Sequence, residues 1–104
     1  MIASIIIPHM NGKELLEECF TALRKQTLTD FEVLLIDNGS TDGSQAFTRT
    51  HFPEVQVVEL GRNFGFTGAC NKGWELSQGE FVILLNNDTA VTPTWLQEII
   101  NAFK

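Results

Sequence analysis

Phe31-Glu32-Val33-Leu34-Leu35-Ile36-Asp37-Asn38-Gly39-Ser40-Thr41-Asp42-Gly43-Ser44 carries the two signals that decide the architecture of this chain. Its first half is apolar on both faces apart from Glu32, the pattern of a strand buried between two layers. Its second half is a dense run of turn formers and helix caps, so the strand reads as ending in a polar loop. The same unit recurs on either side. Ser4 to Ile7 is a short apolar run that meets Pro8, which has no ladder donor and pushes its predecessor toward extended geometry, so a first strand is expected to stop there. Val55 to Leu60 alternates well enough for a third strand, and Glu80 to Leu85, ending in Asn86-Asn87-Asp88, is the most apolar candidate for a fourth.

Between the strands the spacing changes to the helical period. Asn11 with Glu14 forms a capping-box-like pair, and Leu15, Leu16, Cys19, Phe20 and Leu23 then share one face of a helix reaching about Lys25. A short helix with Ala46 and Phe47 inward should stop before Phe52-Pro53. A third is expected from Thr67 to Gln78, with Ala69, Cys70, Trp74 and Leu76 on its buried side and Gly79 ending it in a left-handed conformation. Thr92 caps and Pro93 opens a last helix, whose Trp95, Leu96, Ile99, Ile100 and Phe103 repeat the stripe of the first. Alternating helices and doubly apolar strands predict a Rossmann-like, three-layer α/β/α fold on a four-stranded parallel sheet, and right-handed crossovers favour the order 3-2-1-4.

The chain has 104 residues, 43% hydrophobic and 19% charged, which is one domain, 1–104, with a single core. Its 7 basic and 13 acidic side chains give a net charge of -6, the wrong sign for a nucleic-acid or anionic-membrane binder. No apolar run approaches the ~20 residues of a membrane span, and the N-terminus lacks the basic region of a signal peptide. Cys19 and Cys70 form no C-x-x-C pattern and read as two buried thiols, in keeping with a cytoplasmic protein.

In a parallel sheet ligands bind outside the carboxyl ends of the strands where the order reverses, here between strands 1 and 4. Pro8 to Gly12, Asp37 to Ser44, Gly61 to Gly68 and Asn86 to Thr89 gather at that edge. A dinucleotide fingerprint is excluded, because Pro8-His9-Met10-Asn11-Gly12-Lys13 stands where G-x-G-x-x-G is needed, and no phosphate-cradling G-x-x-x-x-G-K-[ST] occurs. A response-regulator site is excluded too, since no acidic cluster follows strand 1 and Gly61-Arg62 follows strand 3. Asp37 is placed to accept hydrogen bonds from a ribose or a base imide, or to serve as an ordinary turn residue. Asp88 is a second carboxylate at this edge. Magnesium or manganese commonly sits on one or two carboxylates and completes its shell with water and substrate phosphates, which lets an acidic protein take a diphosphate. His9, with no partner carboxylate or nucleophile in view, reads as a surface loop residue.

These segments, in this order, resemble the nucleotide-sugar-binding half of inverting glycosyltransferases of family 2, which have the GT-A fold. The resemblance covers almost the whole chain. It rests on Ser4 to Pro8 with Asn11, Gln26-Thr27, Glu32-Val33 through Ser44, Asn63-Phe64-Gly65-Phe66 with Asn71, and Leu84 to Thr89 with Pro93, Trp95 and Leu96. The Asn-Asn-Asp-Thr form is most similar to the rhamnosyltransferase-like branch. The resemblance implies a UDP- or dTDP-sugar donor. Pro8, His9, Met10 and Asn11 would lie against the nucleotide and Asp37 would accept from the uracil or thymine imide, with Asn38 beside it. Asn63, Asn71 and Asn87 would lie along the cleft, and Asp88 would take the divalent metal, manganese or magnesium. The sugar would pass to a hydroxyl acceptor with inversion.

Three departures from the family pattern stand out. Met10 lies where an aromatic is usual, and Asn86 where many members have Asp, leaving one carboxylate. The third is length: the family's acceptor site and catalytic base come from a further half, so no catalytic residue is identifiable here. The chain is expected to be a truncated GT-A fold that binds nucleotide without turnover, peripheral to the membrane at most in a full-length parent. The competing reading is a non-catalytic nucleotide-binding or interaction module on the same fold. The apolar fourth strand would be an exposed edge, so self-association through it or the terminal helix is expected.

Overall fold

Residues 33–38 are buried without interruption because β2 (Phe31–Asp37) lies inside the sheet, paired on one side with β1 (Ala3–His9) and on the other with β3 (Val55–Glu59). In this computed structural model, which describes residues 1–104, β4 (Phe81–Leu84) joins the free side of β1. All pairs are parallel and the order is β3-β2-β1-β4, as the pattern of strands predicts.

The two-residue period of the strands divides the core. Ile5, Ile7, Val33 and Leu35 face α1 (Lys13–Arg24), α2 (Ser44–His51) and α4 (Trp95–Ala102), where Leu16, Phe20, Phe52, Leu96 and Ile100 close the larger cluster. Ile6, Leu34 and Ile36 face the other way, onto Ala69 of α3 (Gly65–Leu76). The layers are therefore helices, sheet and one helix.

Pro8 does not end β1, which runs on to His9 in register with Asp37. The carbonyls of Ile2 and Ile6 accept from Phe81 and Leu85, whereas His9 accepts from the Asn38 amide. By alternation the Pro8 nitrogen faces β4, whose pairing has already stopped at Leu84, so the missing donor costs no ladder bond. Past Ile6, β1 continues on β2 alone.

Several helix ends are set by distant residues rather than by local caps. Asn11 does not cap α1: it takes a positive φ of 56°, the N-cap is Gly12, and the Lys13 amide donates instead to Asp42 Oδ2 at 2.9 Å. Thr92 and Pro93 do not open α4, which starts at Trp95; buried Gln26 reaches across from the end of α1 to accept from the Leu96 amide at 3.1 Å and donate to the Thr92 carbonyl at 2.7 Å. Removing this side chain orphans both groups, so Gln26→Ala should lower stability by about 2 kcal/mol, read as a lower urea midpoint at unchanged slope.

On α2 Phe47 packs half-buried against the core as expected, but Ala46 is exposed, and the buried positions are Ser44, which joins the loop network described below, and Thr48, whose hydroxyl has no partner. On α3 the expectation that Trp74 is buried fails: Trp74 is 69% exposed and its neighbour Gly73 faces the sheet. A Cβ on Gly73 would lie 2.5 Å from Ile6 Cγ2, so the helix rests on β1 there and the bulky residue is turned out. Cys70 is only half-buried, and Phe103 is 73% exposed beyond the end of α4. Gly79 does not close α3 in a left-handed turn either; the helix ends at Leu76 and Ser77 is extended. Gly79 serves instead to let the chain pass against the backbone of Ala3 and Ser4, where Ser4 Oγ accepts from the Gln78 and Gly79 amides at 3.2 and 2.8 Å and donates to Glu32 at 2.5 Å.

Candidate functional site

The carboxyl ends of β1 and β2 bring Asp37 and His9 side by side, and both are buried. The two oxygens of Asp37 have different fates. Oδ2 accepts from the Ser40 amide at 3.0 Å and from Gln45 Nε2 at 2.7 Å, which pins the turn after β2 to the first turn of α2. Oδ1 is equally buried and has no partner. An unpaired buried acceptor costs about 1–3 kcal/mol, more when charged, so this oxygen is an unmet demand for a donor.

Around it three loops are tied together. The Asn11 amide donates to Ser40 Oγ and its Oδ1 accepts from the Thr41 amide, both at 2.8 Å. Asn38, one residue past β2, donates from Nδ2 to the Gly65 carbonyl at 3.2 Å and accepts at Oδ1 from the Phe64 amide at 3.1 Å, so its side chain holds the β3–α3 loop. Gly39 lets that loop approach, since a Cβ there would stand 3.0 Å from Arg62 Cα and its φ is +85°.

His9 corrects the surface-loop expectation. It is 2% exposed, with Nε2 2.8 Å from Ser44 Oγ and Nδ1 2.9 Å from Asn87 Nδ2. Two residues that did not stand out in the sequence, Ser44 and Gln45, thus hold the two central side chains; a Ser after Asp-Gly signals only a cap. Asp42 completes this wall. Burial works against its ionisation, but the Ser44 hydroxyl and the amides of Lys13, Ser44 and Gly12 outweigh that and hold the carboxyl down at about 2, from an ordinary 3.8. Because the folded value is the lower one, this stabilisation is present above pH 3.8 and is lost as the pH falls toward 2. Asp42→Asn should therefore flatten the fall of stability between pH 4 and 2, measured by thermal unfolding across that range.

Pro8, His9, Met10, Asn38, Asn63, Gly65 and Phe66 line one cavity of about 260 Å³ at this edge. Phe66, which the sequence did not mark as a site residue, is 62% exposed there, and Met10 41%. A larger groove of about 680 Å³ runs along α1, but Glu14, Glu17 and Glu18 line it and would repel a diphosphate, and none of the sequence-predicted site residues does. Asn71 is exposed midway along α3 and does not line the cavity. Asn87 is brought to the site by its bond to His9, while Asp88 is exposed on the turn closed by the Thr89 amide and the Asn86 carbonyl at 3.2 Å. No three His, Cys, Asp or Glu side chains gather to cage a metal ion. Asp88 offers a single, exposed carboxylate. Burial and the charge of Asp88 push the Cys19 thiol up to about 11, so this cysteine is unreactive.

Residues 4–104 match the family model described as Glycosyl transferase family 2. The chain is 33% identical to a cholesterol galactosyltransferase of Borreliella burgdorferi, over 97% of this chain and 29% of that protein. It is 32% identical to glycosyltransferase AglE of Haloferax volcanii, over 90% of this chain and 33% of the relative. It thus spans about a third of the length of these relatives. Among solved structures, TarS of S. aureus in complex with UDP-GlcNAc superposes with a TM-score of 0.89 at 25% identity, covering 97% of this chain and 30% of TarS. Mannosyltransferase PcManGT of Pyrobaculum calidifontis, in complex with GDP-Man and Mn2+, gives 0.75 at 28% identity, covering 83% and 27%.

Proposed function

The chain belongs to glycosyl transferase family 2, and on that premise we propose that it is the donor-binding part of an inverting transferase, taking a UDP- or dTDP-sugar for transfer to a hydroxyl acceptor. The observation that carries this reading is the buried, unpartnered Oδ1 of Asp37 at the carboxyl edge of the sheet. Uracil and thymine both present an N3–H donor, and an imide meeting that oxygen satisfies it. Engagement requires the side chains that seal the carboxylate to yield, since Asp37 has no exposed surface in the ligand-free fold. Met10 and Phe66 supply the apolar surface of the cavity, and Asn63, which also lines it, would lie along the nucleotide and diphosphate.

Asp88 would hold the divalent cation, manganese or magnesium, together with the donor diphosphate. When bound, that cation stabilises the charge of the departing diphosphate. The neighbour PcManGT is in complex with GDP-Man and Mn2+, which supports a divalent cation. We assign no catalytic base: Glu75, Glu80 and Glu98 are exposed on helices or at the start of β4, away from the cavity. The 104 residues alone are expected to bind donor without turning it over. The free thiols of Cys19 and Cys70 agree with a cytoplasmic setting, and no helix is long and apolar enough to cross a membrane.

Titration with UDP and dTDP, with and without manganese, tests the reading. Manganese should tighten wild-type binding and leave Asp88→Ala unaffected; equal affinities with and without metal would remove the cation from the account. The edge of β4 carries a further expectation. Leu84 is 51% exposed, and on the other face of β4 the rings of Phe81 and the 73% exposed Phe103 lie 6.2 Å apart, so the chain should self-associate through this edge. Light scattering should show dimers at tens of micromolar, and a strict monomer would exclude them.

A further inference from the structure

His9 occupies the point where the loops after β1, β2 and β4 meet, and its two ring nitrogens reach two of them. The Ser44 hydroxyl has one proton, and it goes to Asp42 Oδ1. Toward His9 the hydroxyl oxygen can then only accept, so Nε2 carries a hydrogen. On the other side Asn87 presents its amide nitrogen, a donor, so Nδ1 must be the bare acceptor. Both bonds are satisfied at once by one species, the neutral Nε2–H tautomer. The surroundings agree: burial favours the neutral ring, against the opposing charges of Asp37, Asp42 and Glu14.

We propose that His9, held as this tautomer by the Ser44–Asp42 pair, is a positioning residue that fixes the Asn87 side chain and with it the Asn86–Thr89 turn that carries Asp88. The order of dependence follows from burial. Ser44 and Asp37 are fully buried and Asp42 is fastened to α1 through the Lys13 amide, whereas Asp88 is exposed and its turn closes on a single backbone bond. The rigid side of the network is therefore β1–α2, and the side it restrains is the β4 loop. Groups that bond a metal-ligating side chain typically change metal affinity 10–100-fold when removed, and His9, which bonds the residue beside Asp88, is expected at the lower end of that range. The metal part of the proposal rests on the reading of Asp88 given above; the hydrogen-bond part does not.

Two substitutions separate the arms of the ring. In His9→Asn the shorter side chain keeps an acceptor near the Nδ1 position and can hold Asn87, while His9→Gln keeps a donor near Nε2 and can hold only Ser44. Long-range proton–nitrogen NMR of the His9 ring should show a protonated Nε2 and a bare Nδ1 at neutral pH. The Asn87 side-chain amide resonance should stay in place in His9→Asn and move to its solvent-exposed position in His9→Gln. Because His9 also lines the nucleotide cavity, the readout is the ratio of UDP affinities with and without Mn2+: the gain from the metal should shrink roughly tenfold or more in His9→Gln and stay within about threefold of the wild-type gain in His9→Asn. An Nδ1–H ring, or an Asn87 resonance unmoved in His9→Gln, would overturn the proposal. If wild type binds no Mn2+–UDP, the reading of Asp88 fails while the two NMR measurements still decide the role of His9.

Discussion

Gly79→Ala should lower the stability of the protein by about 3 kcal/mol or more. A Cβ at this position would stand 2.5 Å from the carbonyl carbon of Ala3, 2.6 Å from the nitrogen of Ser4 and 2.8 Å from Ala3 Cα. These are backbone atoms of a central strand, so no side chain can rotate away to make room. Moving the segment outward breaks the Gly79 amide bond to Ser4 Oγ and strains the bonds by which Glu80 and Phe81 join β4 to Met1 and Ile2. Overpacking typically costs about 1–3 kcal/mol where side chains can adjust, and a clash with fixed backbone belongs at or beyond that limit. Against a total stability of about 5–15 kcal/mol, such a loss is large. Two other glycines calibrate the effect. Gly73→Ala meets only the Ile6 side chain, though its γ-carbon is on a stiff β-branched residue, and should cost about 1–3 kcal/mol. Gly43 has φ +83° and open space around it, so Ala there costs only the ~1–2 kcal/mol of a left-handed residue. Urea midpoints in the order Gly43→Ala above Gly73→Ala above Gly79→Ala are expected; a Gly79→Ala protein within 1 kcal/mol of wild type would refute the close approach.

The second large effect is at Asp37, whose Oδ2 is bonded within the fold and whose Oδ1 is the oxygen proposed to meet the base. Asp37→Ala orphans the Ser40 amide, at about 1–3 kcal/mol, leaves Gln45 Nε2 only its bond to the Ser40 carbonyl, and also removes the acceptor offered to the base. Nucleotide affinity should fall at least tenfold, because a hydrogen bond to a charged acceptor contributes about 1.5–3 kcal/mol. A bare loss of binding is ambiguous, since the turn itself loosens. Asp37→Asn is cleaner. Its carbonyl can keep the bonds to Ser40 and Gln45, which leaves an NH2 where Oδ1 was. That donor opposes the N3–H of uracil and suits the bare N3 of cytosine, so the variant should shift preference from UDP toward CDP. Unchanged selectivity in Asp37→Asn would mean that the base does not meet this side chain.

The layers and the strand order were legible because they follow from which residues are apolar on both faces, and Val33 to Ile36 settles that by itself. What local rules misread was every point decided by a residue far away in sequence. Pro8 looks like a strand end, yet the bond it cannot make lies toward β4 beyond that strand's last pair. Asn11 and Thr92 look like caps, but Asp42 and Gln26 serve the helix amides from 29 and 70 positions away. Gly79 looks like a helix stop and is a contact. Trp74 has the spacing of a core residue, and Gly73 displaces it by bringing the helix backbone down onto Ile6. At the carboxyl edge, the positions of Asp37 at the end of β2 and of Asp88 in the loop after β4 could be read from the sequence. The division of labour between the Asp37 oxygens, and the burial of His9 between Ser44 and Asn87, exist only once the loops are assembled.

The central claim is that Asp37 Oδ1 awaits a base imide, and a modified ligand tests it on the unaltered protein. Calorimetric titration should compare UDP with UDP methylated at N3, each with manganese. Methylation removes the only N–H donor of the base and leaves ribose, diphosphate and charge as they were. The account predicts that the methylated nucleotide binds at least tenfold more weakly. Equal affinities for the two would contradict it.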